Sequence, residues 1–368
     1  MIIQQIKKRI PVSLKRIIKE QYNRMVHSRS IEVLSEECIE KNIVLGKPLI
    51  LYVANRYDYG DPTRGLGYEH YNFYNTFLRS GYSFIYFDYD RITKSVGAKR
   101  MSRMLREVVY NYQPKFLFYF HYRDIVDYSV WQEMSNELSV NTIIYLADDF
   151  WRHESTRPVW SLFNVMVTLD KDAYDKRIEE GFSNVFLSQW GVNPFIYHDL
   201  GLKRKYDVSF VGQAYGNRFR TINMLRKAGI KVHTFGRGWP DKKRIYQSDL
   251  IKIYNQSKIV FNISYSSHGN LTVNGRDFEA PACGSLLLTH DIPNIYNYFM
   301  PGKEIVTYDD LDDAIKKIKY YLSHNKEREA IAKAGYERIL RCHGYEKRLN
   351  EIFKAVDAIE RKNNYKSK

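Results

Sequence analysis

The strongest constraint on this chain is a strand–helix alternation that runs twice. From Leu49 onward, short apolar runs alternate with amphipathic segments, and runs such as Leu49–Ala54 and Phe116–Phe120 are strand-sized. Alternation of that kind is met by a parallel sheet covered with helices. The spacing predicts strands over 49–54, 83–87, 116–120, 142–146, 164–169 and 184–187. Between the first two lies a loop with Gly60, Gly65 and Gly67, then a helix over 68–79 closed by Gly81. The pattern breaks at Gln189–Pro194 and the polar run to Lys205, then starts over. Further strands are expected at 207–211, 231–235, 258–263, 284–289 and 304–307, with helices over 217–228, 311–322, 326–341 and 345–360. At roughly 100–200 residues per domain, 368 residues make two α/β domains. The expected division is a basic segment 1–29, a first Rossmann-like domain 30–195, a second 196–345, and a helix with a basic tail, 346–368, packing back toward the first domain.

Composition adds a partner class. The net charge is +15, which points to anionic partners: nucleic acid, anionic lipid or phosphorylated small molecules. Residues 1–29 concentrate Lys7, Lys8, Arg9, Lys15, Arg16, Lys19, Arg24 and Arg29 against the single acid Glu20, with isoleucines at roughly helical spacing. One reading is a basic amphipathic segment docking on an anionic membrane surface; the other is an ordinary helix with a solvated basic face. Cys38, Cys283 and Cys342 are too scattered for a disulfide framework or zinc site, which favours a reducing compartment. No apolar run approaches the ~18 residues of a membrane span, and no signal peptide is read at the N-terminus. The expected location is therefore cytoplasmic, with peripheral contact at the inner membrane face through residues 1–29 as one option.

The densest chemistry lies in Asn274–Thr289, read as a polar loop, a helix beginning near Asp277, a cap at Gly284 and a buried strand. A helix entrance with free amides suits a diphosphate, and Arg276 adds a permanent charge for its oxygens. Glu279 has the chemistry to accept from ribose hydroxyls. The plainer reading is a helix start that favours acids, with Arg276 in a surface ion pair. Asp88-Tyr-Asp90 is a D-x-D, a spacing known from metal sites, but its position at the end of a strand reads as a turn. Gly60–Gly67 lacks the Gly-Lys-Ser/Thr ending of a phosphate-binding P-loop.

Phe278-Glu-Ala-Pro-Ala-Cys-Gly284 resembles the E-A-x-A-C-G segment of group 1 (family-four-like) glycosyltransferases, and Arg276 two residues ahead resembles the CgeB-like, spore-maturation branch. Asp207-Val-Ser-Phe-Val-Gly212, Phe235-Gly-Arg-Gly-Trp239, Tyr254 with Ser257–Asn262, and His343-Gly-Tyr345-x-x-Arg348 are similar to further segments of that donor domain, so the resemblance covers about 205–355. It implies the GT-B architecture: two Rossmann-like domains facing each other across a cleft. It implies a hexosyl- or related transferase using a nucleotide-sugar donor, UDP-sugar foremost, without metal or other cofactor, and retaining. Glu279 maps onto the ribose-binding acid of the E-x7-E motif. The first acid of that motif falls at Leu271, so Asn270, Thr272 or Asn274 would meet the sugar. Gly212, Arg218, Arg276 and Arg237 complete the expected donor site, the arginines stabilising a departing diphosphate.

The first domain would face the acceptor: a surface glycan, a lipid-linked acceptor or a protein. Strand-end loops carry Asp58, Arg64, Glu69 and Arg123 as acceptor contacts, and Asp149, Asp148 and His121, in that order, as candidate bases. The Asp pair also reads as a helix cap. Two other functions stay open: transfer to a nucleic-acid base, and a binding protein that kept the fold without activity.

Overall fold

The computed structural model describes residues 38–122, 125–136, 138, 140–147, 149–240, 245–265 and 269–366. The basic segment 1–29 and two candidate residues, Arg123 and Asp148, lie outside the described residues.

The first sheet has seven strands: β1 (Ile39–Asn42), β2 (Leu49–Val53), β3 (Ser83–Phe87), β4 (Phe116–His121), β5 (Asn141–Leu146), β6 (Val165–Thr168) and β7 (Val185–Leu187), in the order β1-β3-β2-β4-β5-β6-β7. All neighbours run parallel except β1, an antiparallel edge strand in register Ile39↔Phe87. The sequence pattern does not reveal β1, because Ile-Glu-Lys-Asn has no sustained alternation. The central strands are buried on both faces, which is why they read as unbroken apolar runs. The 68–79 helix contains a π turn, His70–Tyr74, before Asn75–Arg79.

The second sheet has five parallel strands: β8 (Tyr206–Val211), β9 (Val232–Phe235), β10 (Ser257–Phe261), β11 (Leu286–His290) and β12 (Val306–Tyr308), in the order β12-β11-β10-β8-β9. In each sheet the chain's first parallel strand lies inside the sheet, and the order runs away from it on both sides. The reversal points, β2/β4 and β8/β10, open crevices at the carboxyl ends of the strands, where such sheets bind ligands. One face of the second sheet is covered by helices Arg218–Lys227 and Leu311–Ser323, which share the Val208–Phe210 cluster. The other face carries Gln247–Asn255 and Gly275–Ala282, packed around Val211, Val260 and Leu287.

The chain crosses between the domains twice, and the crossings are bonded together. The Val192 amide donates to His343 O (3.0 Å) and the Tyr345 amide donates to Val192 O (2.9 Å). The last helix, Tyr345–Lys366, then lies on the first sheet, burying Tyr345, Leu349, Ile352, Phe353 and Val356 against Phe73, Phe116 and Phe118. No helix among the described residues is long and apolar enough to cross a membrane.

Candidate functional site

Five of the donor-side candidates, Gly212, Arg218, Arg237, Asn274 and Arg276, gather at the carboxyl end of β8. Helix Gly275–Ala282 begins two residues earlier than the sequence suggests, because Asn274 and Asp277 form a capping box. The Asn274 amide donates to Asp277 Oδ2 (2.9 Å), and the Arg276 amide donates to Asn274 Oδ1 (3.1 Å). Asp277 is itself buried and receives Asn262 Nδ2 (2.6 Å) and Thr289 Oγ1 (2.8 Å). The expected set of free entrance amides is thus corrected: the cap engages those of Asn274, Arg276 and Asp277.

Arg276 donates through Nε to Asn274 Oδ1 (3.2 Å) and through Nη1 to Val211 O (3.3 Å). A Cβ at Gly212 would lie 2.8 Å from its Nη1, so glycine is required for this approach. Arg218 opens the helix after β8 and is buried. Its Nη1 donates to Gln213 O (3.2 Å), its Nη2 to Tyr265 O (3.1 Å), and its guanidinium lies 3.9 Å over the Tyr215 ring. Burial, with the Arg276 charge second, pulls Arg218 down to about 10. Among the described residues neither arginine forms an ion pair. Two cations that repel each other over one glycine turn make a site suited to an anion.

Glu279 sits in the second turn of its helix and is buried. Its Oε1 accepts from the Tyr197 hydroxyl at 2.8 Å. Burial raises its carboxyl above the ordinary range, while the Tyr197 bond and the Arg276 charge pull it back. Nearby, a cavity of about 250 Å³ is lined by Gly212, Gln213, Gly236, Arg237, Tyr246 and Gln247. Gly236, at φ +122°, is forced by the same turn: a Cβ there would lie 2.6 Å from Gly212 O. Asn270 and Thr272 lie elsewhere, lining a smaller interdomain cavity with Leu271 and with His153, Asp170 and Lys176 of the first domain.

The first-domain candidates separate. Arg64, expected at the acceptor, lines the donor-side cavity. It pairs with Asp58 (Nε to Oδ2, 2.9 Å) and lies 4.4 Å over Tyr59, while a Cβ at neighbouring Gly65 would stand 3.1 Å from the Tyr246 ring. The loop therefore roofs the cavity. Glu69 begins the helix behind it, its backbone oxygen accepting from Tyr52 OH (3.1 Å). Asp149, the first-ranked base, is fully buried and bridged by both Nη atoms of Arg177, with Nη2 to Oδ1 at 2.7 Å. Thr168 Oγ1 donates to Oδ2 (2.6 Å), and Arg177 lies 4.2 Å over Trp160. That carboxylate holds the core together and is badly placed to take a substrate proton, which corrects its candidacy. His121 ends β4, buried, its Nδ1 3.2 Å from the Tyr119 hydroxyl; burial, with Arg152 second, lowers it to about 3. Asp88 caps helix Tyr89–Val96 (Arg91 amide to Oδ1, 3.2 Å), and Asp90 pairs with Lys94 at 2.6 Å.

Tyr197, Gln247 and Tyr246 were not anticipated from the sequence. Tyr197 is 82 positions from Glu279, and no spacing rule links them.

The chain is similar to known proteins in sequence and in fold. Residues 218–354, which include Arg218, Arg276 and Glu279, match the family described as "Glycosyl transferase-like". The chain is 24% identical over 221 residues to the spore protein CgeB of Bacillus subtilis, covering 53% of this chain and 68% of CgeB. Among solved structures, the sucrose-phosphate synthase of Thermosynechococcus elongatus superposes with a TM-score of 0.59 at 11% identity, over 85% of this chain and 100% of that one. Anabaena HepE in complex with UDP-glucose superposes at 0.56 and 9% identity, over 86% and 100%. A glycosyltransferase from Rickettsia africae superposes at 0.58 and 10% identity, over 85% and 99%. With two Rossmann-like sheets in tandem and a match to the glycosyl transferase-like family over residues 218–354, the chain has the GT-B architecture, and its second domain is similar in sequence to that family and to CgeB.

Proposed function

We propose that the enzyme transfers a sugar from a nucleoside-diphosphate donor, UDP-linked, held at β8, to an acceptor hydroxyl presented by the first domain. The observation that carries the reading is the pairing of Arg218 and Arg276 at Gly212, both bonded to neutral oxygens and, among the described residues, neither to an acid. A diphosphate there supplies the missing negative charge, and its charge grows as the sugar leaves. Glu279 accepts from the ribose, and the cavity roofed by Arg64 takes the base. HepE, similar in fold, is seen with UDP-glucose, with UDP and glucose, and with UDP.

The reading favours retention of configuration without a metal. An inverting reaction needs a base beside the acceptor. Of the candidates among the described residues, Asp149 is held by Arg177, and His121, lowered to about 3, binds a proton weakly. In a retaining transfer the C1–O bond to the diphosphate breaks, the acceptor oxygen bonds C1 on the same face, and the acceptor proton goes to the departing diphosphate. The arginines carry the charge a metal would otherwise balance. The acceptor class we favour is a surface glycan, lipid-linked or protein hydroxyl; TarM, also similar in fold, is seen with UDP and α-GlcNAc-glycerol. A panel of nucleotide sugars offered with simple acceptors, with the product anomer read by NMR, tests this. The reading expects one UDP-sugar to turn over with its anomeric configuration kept. Inversion, or turnover of none, contradicts it.

A further inference from the structure

Among the described residues one side chain from outside its own helix grips Glu279, and that side chain belongs to the crossing between the domains. Tyr197 is fully buried among Val192, Ile253, Tyr254 and Phe278. Its place is set by the turn that follows the crossing. The Tyr197 amide donates to Asn193 O (2.9 Å), the Phe195 amide donates to Asn193 Oδ1 (3.0 Å), and Asn193 Nδ2 donates to Tyr71 O of the first domain (3.1 Å). From there the hydroxyl donates to Glu279 Oε1 at 2.8 Å and accepts from Gln247 Nε2. Gln247 in turn lines the donor-side cavity. One phenol therefore joins the crossing, the cavity wall and the buried acid.

The carboxylate is held by one oxygen only. Among the described residues Oε2 has no hydrogen bond, while Oε1 is committed to Tyr197. Other groups act on Glu279 from several elements. Arg276 and Asp277 lie on its own helix, Cys283 follows it, Tyr254 is on helix Gln247–Asn255, Tyr68 comes from the first domain, and Tyr345 starts the last helix. Tyr68 and Tyr345 share a hydrogen bond with each other, so Tyr197 remains the phenol committed to the acid. An acid that must accept from ribose hydroxyls has to be ionised and oriented, and burial opposes ionisation. A buried donor aimed at the ionised form counters that.

We propose that Tyr197 is a positioning residue of the donor site, holding Glu279 by Oε1 so that Oε2 is presented to the hydroxyls of the nucleotide, with Gln247 passing the state of the cavity to that grip. The assignment of the hydroxyls rests on the donor reading above; the grip itself does not.

The test separates the two. Tyr197→Phe keeps the ring and removes only the donor. The carboxyl of Glu279 is followed by ¹³C NMR in protein labelled at glutamate, its resonance identified by its loss in Glu279→Gln. The grip predicts a higher titration midpoint in Tyr197→Phe, and a smaller upward move in Gln247→Leu, where the phenol stays in place. An unchanged or lower midpoint in Tyr197→Phe overturns the proposal whether or not a nucleotide binds. The second arm titrates UDP calorimetrically into wild type, both single variants and the Tyr197→Phe/Glu279→Gln double variant. Tyr197→Phe should weaken UDP roughly tenfold near neutral pH, more so as pH falls, and should add nothing in the Glu279→Gln background. Equal losses in both backgrounds also overturn it. If Glu279→Gln binds UDP as wild type does, the ribose assignment fails, and the NMR arm still decides the grip.

Discussion

Arg218 and Arg276 reach the end of β8 from helices on opposite faces of the second sheet, and among the described residues each is bonded only to neutral oxygens. The relationship has a consequence for the protein without ligand. Arg276→Gln keeps a donor for Val211 O and lifts the repulsion, so its stability in urea should match or exceed that of wild type. Arg218→Lys keeps the charge but cannot span Gln213 O and Tyr265 O with a planar fork. It should lose about 1–3 kcal/mol, the scale of one or two hydrogen bonds from a charged group. If Arg276→Gln proves the less stable of the two, the guanidinium is structural and the anion-site argument weakens.

Asp149 and Arg177 define a second outcome. Both are fully buried. Asp149→Asn strands the Arg177 charge, and breaking such a pair costs roughly 3–5 kcal/mol. Replacing both, as Asp149→Leu with Arg177→Met, should recover most of that loss. The denaturation midpoints of the three proteins decide it. A catalytic base would give the reverse pattern, with Asp149→Asn folded and inactive.

His121 carries a pH signature. It titrates near 6.5 in an unfolded chain but is lowered to about 3 here by burial. A depressed folded value means that its contribution is present above about pH 6.5 and is lost as pH falls toward 3. The slope is about 1.4 kcal/mol per pH unit. His121→Gln lacks this titration. Its stability deficit against wild type should therefore shrink by about that amount per unit between about pH 6.5 and 4, measured by urea denaturation at each pH. A deficit that does not change with pH means that His121 is readily protonated in the folded protein.

Gly236 tests the architecture of the cavity. Its φ of +122° and its approach to Gly212 O leave no room for a methyl group. Gly236→Ala should lose roughly 1–3 kcal/mol through strain and a shifted turn. A neutral result in thermal melts contradicts the close packing of the two turns.

Much of the fold was legible because parallel strands buried on both faces, such as Phe116–His121, leave apolar runs that only a covered sheet explains. The edge strand Ile39–Asn42 carries no such run and stayed hidden. Arg276, Gly212 and Glu279 were legible because each lies at a helix entrance or strand end within one continuous segment or a recognisable motif. What stayed out of reach depends on distance in sequence. Nothing near Asp149 announces Arg177, 28 positions away and packed on Trp160. Nothing in a glycine-rich loop announces that Arg64 faces the other domain, because that follows from how the two domains close over Tyr246. Asn274 and Asp277 were read as polar, but their reciprocal capping, which engages the entrance amides, is a matter of side-chain rotamers.

Everything proposed for catalysis depends on the second domain holding a nucleoside diphosphate at Arg276 and Arg218. Calorimetric titration of UDP, GDP, ADP and CDP into wild type and into Arg276→Ala tests this most directly. The predicted result is that UDP binds wild type and that Arg276→Ala weakens it by at least about tenfold, the scale of one charge-assisted hydrogen bond. Binding of none of the four, or equal binding of UDP by both proteins, would contradict it.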